Sequence, residues 1–152
     1  MKRSVIALSA LAGAAVLVFA LRVGDSAAAG FLPYTDEAAT ARGAQIYADQ
    51  CASCHGGNLQ GQDDWQIRRD DGRMPAPPHD VSGHTWHHAD ELLFLITKYG
   101  SSEVVGSGYE SDMIGFGEVL SDQDILDVLG FIKSTWPDEV VDQHNRINSA
   151  AN

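Results

Sequence analysis

The stretch Cys51-Ala52-Ser53-Cys54-His55 constrains this chain more than any other, because it holds both cysteines of the 152 residues. Two thiols three positions apart, followed at once by an imidazole, have the spacing of a c-type haem attachment site. The chemistry sets that spacing. Each thiol forms a thioether to one of two neighbouring vinyl groups, and the next residue reaches the iron from one face of the ring. A thioredoxin-like redox pair would want a βαβ context, which the flanking residues do not supply. A zinc site would need more thiolates, although histidines could complete one. With no third cysteine, a structural disulfide is not expected.

Lys2 and Arg3 precede an almost wholly apolar run from Val5 to Leu21, and Ala27-Ala28-Ala29 stands ahead of Gly30. A basic start, an apolar middle and small residues at a cleavage position make residues 1–29 a secretory signal peptide. The apolar run also lies at the short edge of a membrane span, so retention as an inner-membrane anchor is the alternative. Either way residues 30–152 are expected in the periplasm as one domain, in contact with a membrane only if the anchor is kept. The formal net charge is −11; loss of residues 1–29 removes Lys2, Arg3, Arg22 and Asp25 and makes it −13. Such a body repels nucleic acid and anionic membrane surfaces. It suits a partner with a basic docking patch and encounter rates that fall with salt, although acidity also serves solubility.

Helical periodicity recurs along the chain, and no stretch alternates as a strand. Thr35 or Asp36 is placed to cap a helix whose small face is Ala39, Gly43, Ile46, Tyr47 and Gln50, ending at the cysteines. Gly43 costs that helix about 1 kcal/mol relative to Ala, and close approach of another helix is the usual compensation. Ser121, with Asp124 three residues on, opens a second helix carrying Ile125, Val128, Leu129, Ile132 and Trp136, which Pro137 stops. Phe131 is placed to pack near Gly43 and Tyr47. A third helix runs from about Ala89 to Tyr99, with Leu92, Leu95, Ile96 and Tyr99 expected to face inward. A short, frayed terminal helix after Pro137 would carry Val140, Val141 and Ile147. The fold is all-α: three main helices, a possible short C-terminal one, and long loops. Residues 56–88 and 101–120 exceed what a small bundle needs, so they should cover something.

A second axial ligand would come from a loop opposite His55. Met74, Met113 and the histidines of residues 79–88 all satisfy that from the sequence alone. The chain also resembles class I c-type cytochromes, in particular small proteobacterial monohaem ones with Pro-Pro-His-Asp and His-Thr-Trp-His-His stretches. The matching pieces are Arg42-Gly43-x-x-Ile46-Tyr47, Cys51 to Gly56, Met113-Ile-Gly-Phe116-Gly, Leu120-Ser121-Asp122-x-Asp124-Ile125 and Phe131-Ile132-Lys133-Ser134-x-Trp136. The resemblance implies the cytochrome c fold and one haem c, held by Cys51 and Cys54 with iron between His55 and Met113. It also implies that Pro77 or Pro78 offers its carbonyl to the His55 N–H. Ile114 stands where the commoner loop has proline after the methionine. His/Met ligation raises the reduction potential and fits an electron carrier, not an enzyme, serving redox partner proteins in a respiratory chain.

His79, His84, His87 and His88 lie within ten residues. Imidazoles suit copper or zinc, so a metal-handling protein is a rival reading. The plainer one has these histidines and Trp86 hydrogen-bonding a loop against the haem edge. A second rival is the haem subunit of a larger membrane oxidoreductase. Arg68, Arg69 and Arg73 would pair with haem propionates or with Asp63, Asp64, Asp70 and Asp71 nearby, the default for surface charges.

Overall fold

A computed structural model describes residues 30–151; the expected signal peptide lies outside them. The chain there is all-α, and none of its helices is long and apolar enough to cross a membrane. Helix α1 spans Glu37–Ile46, α2 Ala52–His55, α3 Asp90–Tyr99, α4 Ser101–Val105, α5 Asp122–Ser134 and α6 Asp138–Ala151. The one strand-like feature among the described residues is an antiparallel bridge between Gly100 and Ile114.

Asp36, not Thr35, caps α1, accepting the backbone N–H groups of Ala38 and Ala39. The helix does not run on regularly into the cysteines. Residues Tyr47–Cys51 form one wider π turn, closed by the Ala52 N–H on the Tyr47 carbonyl. Single π turns of this kind recur at functional sites. Ala39, Gly43 and Tyr47 are buried as the spacing predicts, whereas Gln50 is exposed.

Helices α1 and α5 cross at Gly43. A β-carbon there would collide with the Asp127 carbonyl and lie 2.8 Å from Phe131 Cβ. The expected close approach is therefore present, and the Tyr47 and Phe131 rings meet with centroids 5.6 Å apart. Ser121 and Asp124 form the reciprocal cap that opens α5. Ile125, Val128, Leu129, Ile132 and Trp136 are buried together with Leu32, Tyr47, Leu59 and Leu93 in one core. Each such apolar side chain contributes about 1.5–3 kcal/mol on burial.

Two expectations need correction. On α3 the polypeptide buries Leu93 and Thr97, while Leu92 and Tyr99 are exposed and Leu95 and Ile96 half-buried. The stripe read as facing inward thus lies outside the apolar cluster, which α3 joins through Leu93 and Phe94. The terminal helix is not short: α6 has 14 residues, and the residues it buries are His144 and Asn148. Asn148 accepts the Asp90 N–H at 2.8 Å and donates to the Asp90 carboxylate at 3.0 Å. The same carboxylate accepts the N–H groups of Phe31, at 2.7 Å, and Leu32, at 3.1 Å. A polar network therefore joins the N-terminal lead-in, α3 and α6, where apolar periodicity gave no sign of it.

Candidate haem-binding site

The π turn delivers Cys51 half-buried at its end, and α2 presents Cys54 exposed and His55 buried. Gly56 ends α2 at φ +80°, where a side chain would be strained. Its carbonyl accepts the Tyr47 hydroxyl at 2.9 Å, so the core ring of α1 also holds the end of α2. Burial pushes the Cys51 thiol up to about 11, and Cys54 adds to the effect. A reactive Cys-x-x-Cys redox pair has a depressed thiol, whereas Cys51 is shifted in the opposite direction.

His55 Nδ1 lies 2.8 Å from the Pro77 carbonyl oxygen. A carbonyl only accepts, so Nδ1 carries the proton and Nε2 keeps its lone pair. Burial holds this imidazole below its ordinary value against the opposing pull of the Pro77 bond, which favours the neutral form that ligates metal. The Pro78 carbonyl does something else: it accepts the Thr85 hydroxyl at 3.4 Å. The loop can come so close because Gly61, at φ +70°, has no side chain to meet Pro77 and Pro78. The Gly61 N–H also donates to the His55 carbonyl at 2.8 Å. Against His55 lies the ring of His79, stacked with centroids 4.0 Å apart and an interplanar angle of 25°.

Met113 is half-buried in the loop between α4 and α5. Its N–H donates to Ser111 Oγ at 3.0 Å, and its carbonyl accepts the Ser101 N–H at 3.1 Å. The residue before it, Asp112, is gripped from the other long loop. Arg69 pairs with one carboxylate oxygen, and Arg73 Nη1 lies 2.7 Å from the other. Arg69 and Arg73 thus find acidic partners, of which only Asp71 is among those expected, whereas Arg68 donates to the Gly72 carbonyl. Asp112 is the shared one, across a sequence gap no spacing argument reaches.

Residues 40–136 match the family model of cytochrome c. The chain belongs to the cytochrome c family. No curated protein and no solved structure matches it. Membership brings covalently attached haem c, and Cys51 and Cys54 fit the attachment motif. It also brings a haem-based electron-transfer role with redox partner proteins. As in other cytochromes c, the fold must wrap a flat apolar group with two acidic side chains, and this chain fits one. Leu92, Ile96 and Tyr99 lie at one-face spacing on α3, and the outer two are exposed. Trp86 Nε1 is buried without a protein acceptor, the kind of donor a haem propionate would take.

The histidine-rich stretch of this cytochrome c scatters its contacts, save that the His84 and His88 rings meet edge to face with centroids 5.3 Å apart. His79 faces His55 and Thr85, and His84 meets the Trp65 ring at 5.2 Å. His87 stacks on Trp86 at 3.6 Å, and the His88 carbonyl accepts His144 Nε2 at 2.8 Å. Among the described residues no three His, Cys, Asp or Glu side chains gather to hold a metal ion. The stretch instead ties the loop down, and Trp136 Nε1 adds a bond to the His79 carbonyl at 2.8 Å. Three contributors escaped sequence reasoning: the Tyr47 hydroxyl, Gly61 and Asp112. Only Gly61 had a signal, a glycine in a polar loop that must approach another backbone.

Proposed function

We propose that this cytochrome c is an exported one-electron carrier of the periplasm, built from residues 30–152 after a leader at 1–29. Cys51 and Cys54 form the thioethers, and His55 and Met113 are the axial ligands. The hydrogen bond from His55 Nδ1 to the Pro77 carbonyl carries this reading, because it places the proton on Nδ1 and keeps the Nε2 lone pair for a metal. When bound, haem supplies a one-electron couple at its iron. The chain's own work is to hold both ligands still, so that little rearranges between oxidation states. The α1–π turn–α2 segment fixes His55 from one side, and the Ser101, Ser111 and Asp112 bonds fix the Met113 loop. The Leu92, Ile96 and Tyr99 stripe and Trp86 line the haem surroundings with Pro77 and Pro78. The acidic surface meets a basic patch on the redox partner.

The test is the absorption spectrum of the oxidised and reduced protein beside Met113→Ala. Wild type is expected to show the weak red charge-transfer band of a methionine–ferric bond, and the variant to lack it. A wild type without the band makes Met113 a loop residue and moves the second ligand elsewhere. Mass spectrometry checks the thioethers: the haem mass stays with the denatured chain, and Cys51→Ala with Cys54→Ala releases it. Fractionation of the native host locates the protein.

A further inference from the structure

We propose that His79 is a positioning residue for His55: its ring, laid flat on the ligand imidazole, fixes the plane of that ring and favours the oxidised state of the iron. The inference rests on the reading of His55 as axial ligand. The bond from His55 Nδ1 to Pro77 restrains the imidazole at one edge and gives its face no support. A flat neighbour 4.0 Å away supplies that support and holds the plane from its face.

His79 is itself held at four points. Its N–H donates to the Leu59 carbonyl at 2.8 Å, and its carbonyl accepts Trp136 Nε1 at 2.8 Å. Its Nδ1 lies 2.8 Å from Thr85 Oγ1, and its ring edge meets Tyr47 with centroids 6.1 Å apart. Because Thr85 Oγ1 donates to the Pro78 carbonyl, its lone pairs face His79 Nδ1–H. The stack also rules out a metal shared by the two imidazoles. Their lone pairs lie in the ring planes, whereas the rings present their faces to each other. Phe131, Tyr47, His79 and His55 thereby form a run of ring contacts from α5 to the ligand.

Electronic reasoning sets the direction. Iron oxidation draws electron density from the ligated imidazole and makes it partly cationic. A neutral, π-rich ring lying on its face stabilises that charge as it would any cation. Loss of the ring therefore shifts the equilibrium toward the reduced state.

The experiment uses the haem-loaded protein as wild type, His79→Phe and His79→Leu. Redox titration followed by absorbance gives the equilibrium, and proton NMR of the ferric form reads the hyperfine-shifted ring of the axial histidine. His79→Leu is expected to favour the reduced state about three- to fivefold, a rise of about 28–41 mV at 59 mV per tenfold for one electron. His79→Phe keeps a flat ring and should move less than half as far. An unmoved Leu variant, or a Phe variant moving half as far or more, overturns the proposal. Should the Leu variant not fold, Thr85→Val, which frees the His79 ring, must shift the equilibrium the same way, and no shift overturns it equally. A wild-type ferric spectrum without shifted His55 ring protons refutes the ligand reading instead.

Discussion

The Pro77 carbonyl reaches His55 Nδ1 at 2.8 Å only because Gly61 leaves room for the loop beside it. Gly61→Ala would strain a backbone at φ +70° and press a methyl group into Pro77 and Pro78. We expect a loss of about 1–3 kcal/mol in denaturant unfolding. The reduction potential should rise as well, because a lengthened bond leaves the His55 imidazole a weaker electron donor. A variant equal to wild type in both would separate Gly61 from the ligand.

Gly43→Ala is a test by sign. On an exposed helix the change stabilises by about 1 kcal/mol. Here the added methyl group meets the Asp127 backbone, which cannot move without opening the α1–α5 crossing. The expected result is destabilisation by about 1–3 kcal/mol, seen as a lower denaturant midpoint at unchanged slope.

Asp112→Asn removes the charge that joins the Arg69–Arg73 loop to the residue before Met113. Both arginines hold the Asp112 carboxyl below its ordinary value, so it is ionised at neutral pH. Stopped-flow binding of imidazole to the ferric protein should speed up severalfold in the variant, since the Met113 loop opens more often. In wild type the rate should rise with salt, and in the variant it should not.

His144 should make the fold sensitive to mild acid. Burial, then Lys133, push its imidazole down, and Asp90 and the His88 carbonyl only partly oppose them. The unfolded chain therefore takes up the proton first. Stability is complete above about pH 6.5 and falls as pH drops from there toward the lower folded value, by at most about 1.4 kcal/mol per pH unit. His144→Leu should lower stability at pH 7, because the His88 carbonyl loses its donor. It should also flatten the thermal-stability profile between pH 6.5 and 5. A profile as steep as wild type would assign the slope to His79, His84 and His88, which burial also holds below the ordinary value.

Asn148→Leu would leave the Asp90 N–H and carboxylate short of partners in a buried place. Unfolding stability should fall by about 1–3 kcal/mol. Amide exchange should quicken at Phe31 and Leu32 as well as along α6, because all three share the Asp90 carboxylate.

What the sequence determined by itself was local chemistry. The Cys51–Cys54–His55 spacing names the haem, the α5 periodicity names its own buried face, and Gly43 announces a close crossing, because each rests on neighbours within a few turns. Only tertiary structure decided which surfaces meet. It turned α3 so that Leu93, not Leu92, faces the protein core, chose Pro77 over Pro78 for His55, and gave Asp112 to both Arg69 and Arg73. It also laid His79 on His55 and His87 on Trp86, and set His84 between Trp65 and His88. Contacts between residues dozens of positions apart depend on how packed helices and loops exclude water together, and no short window of sequence carries that information.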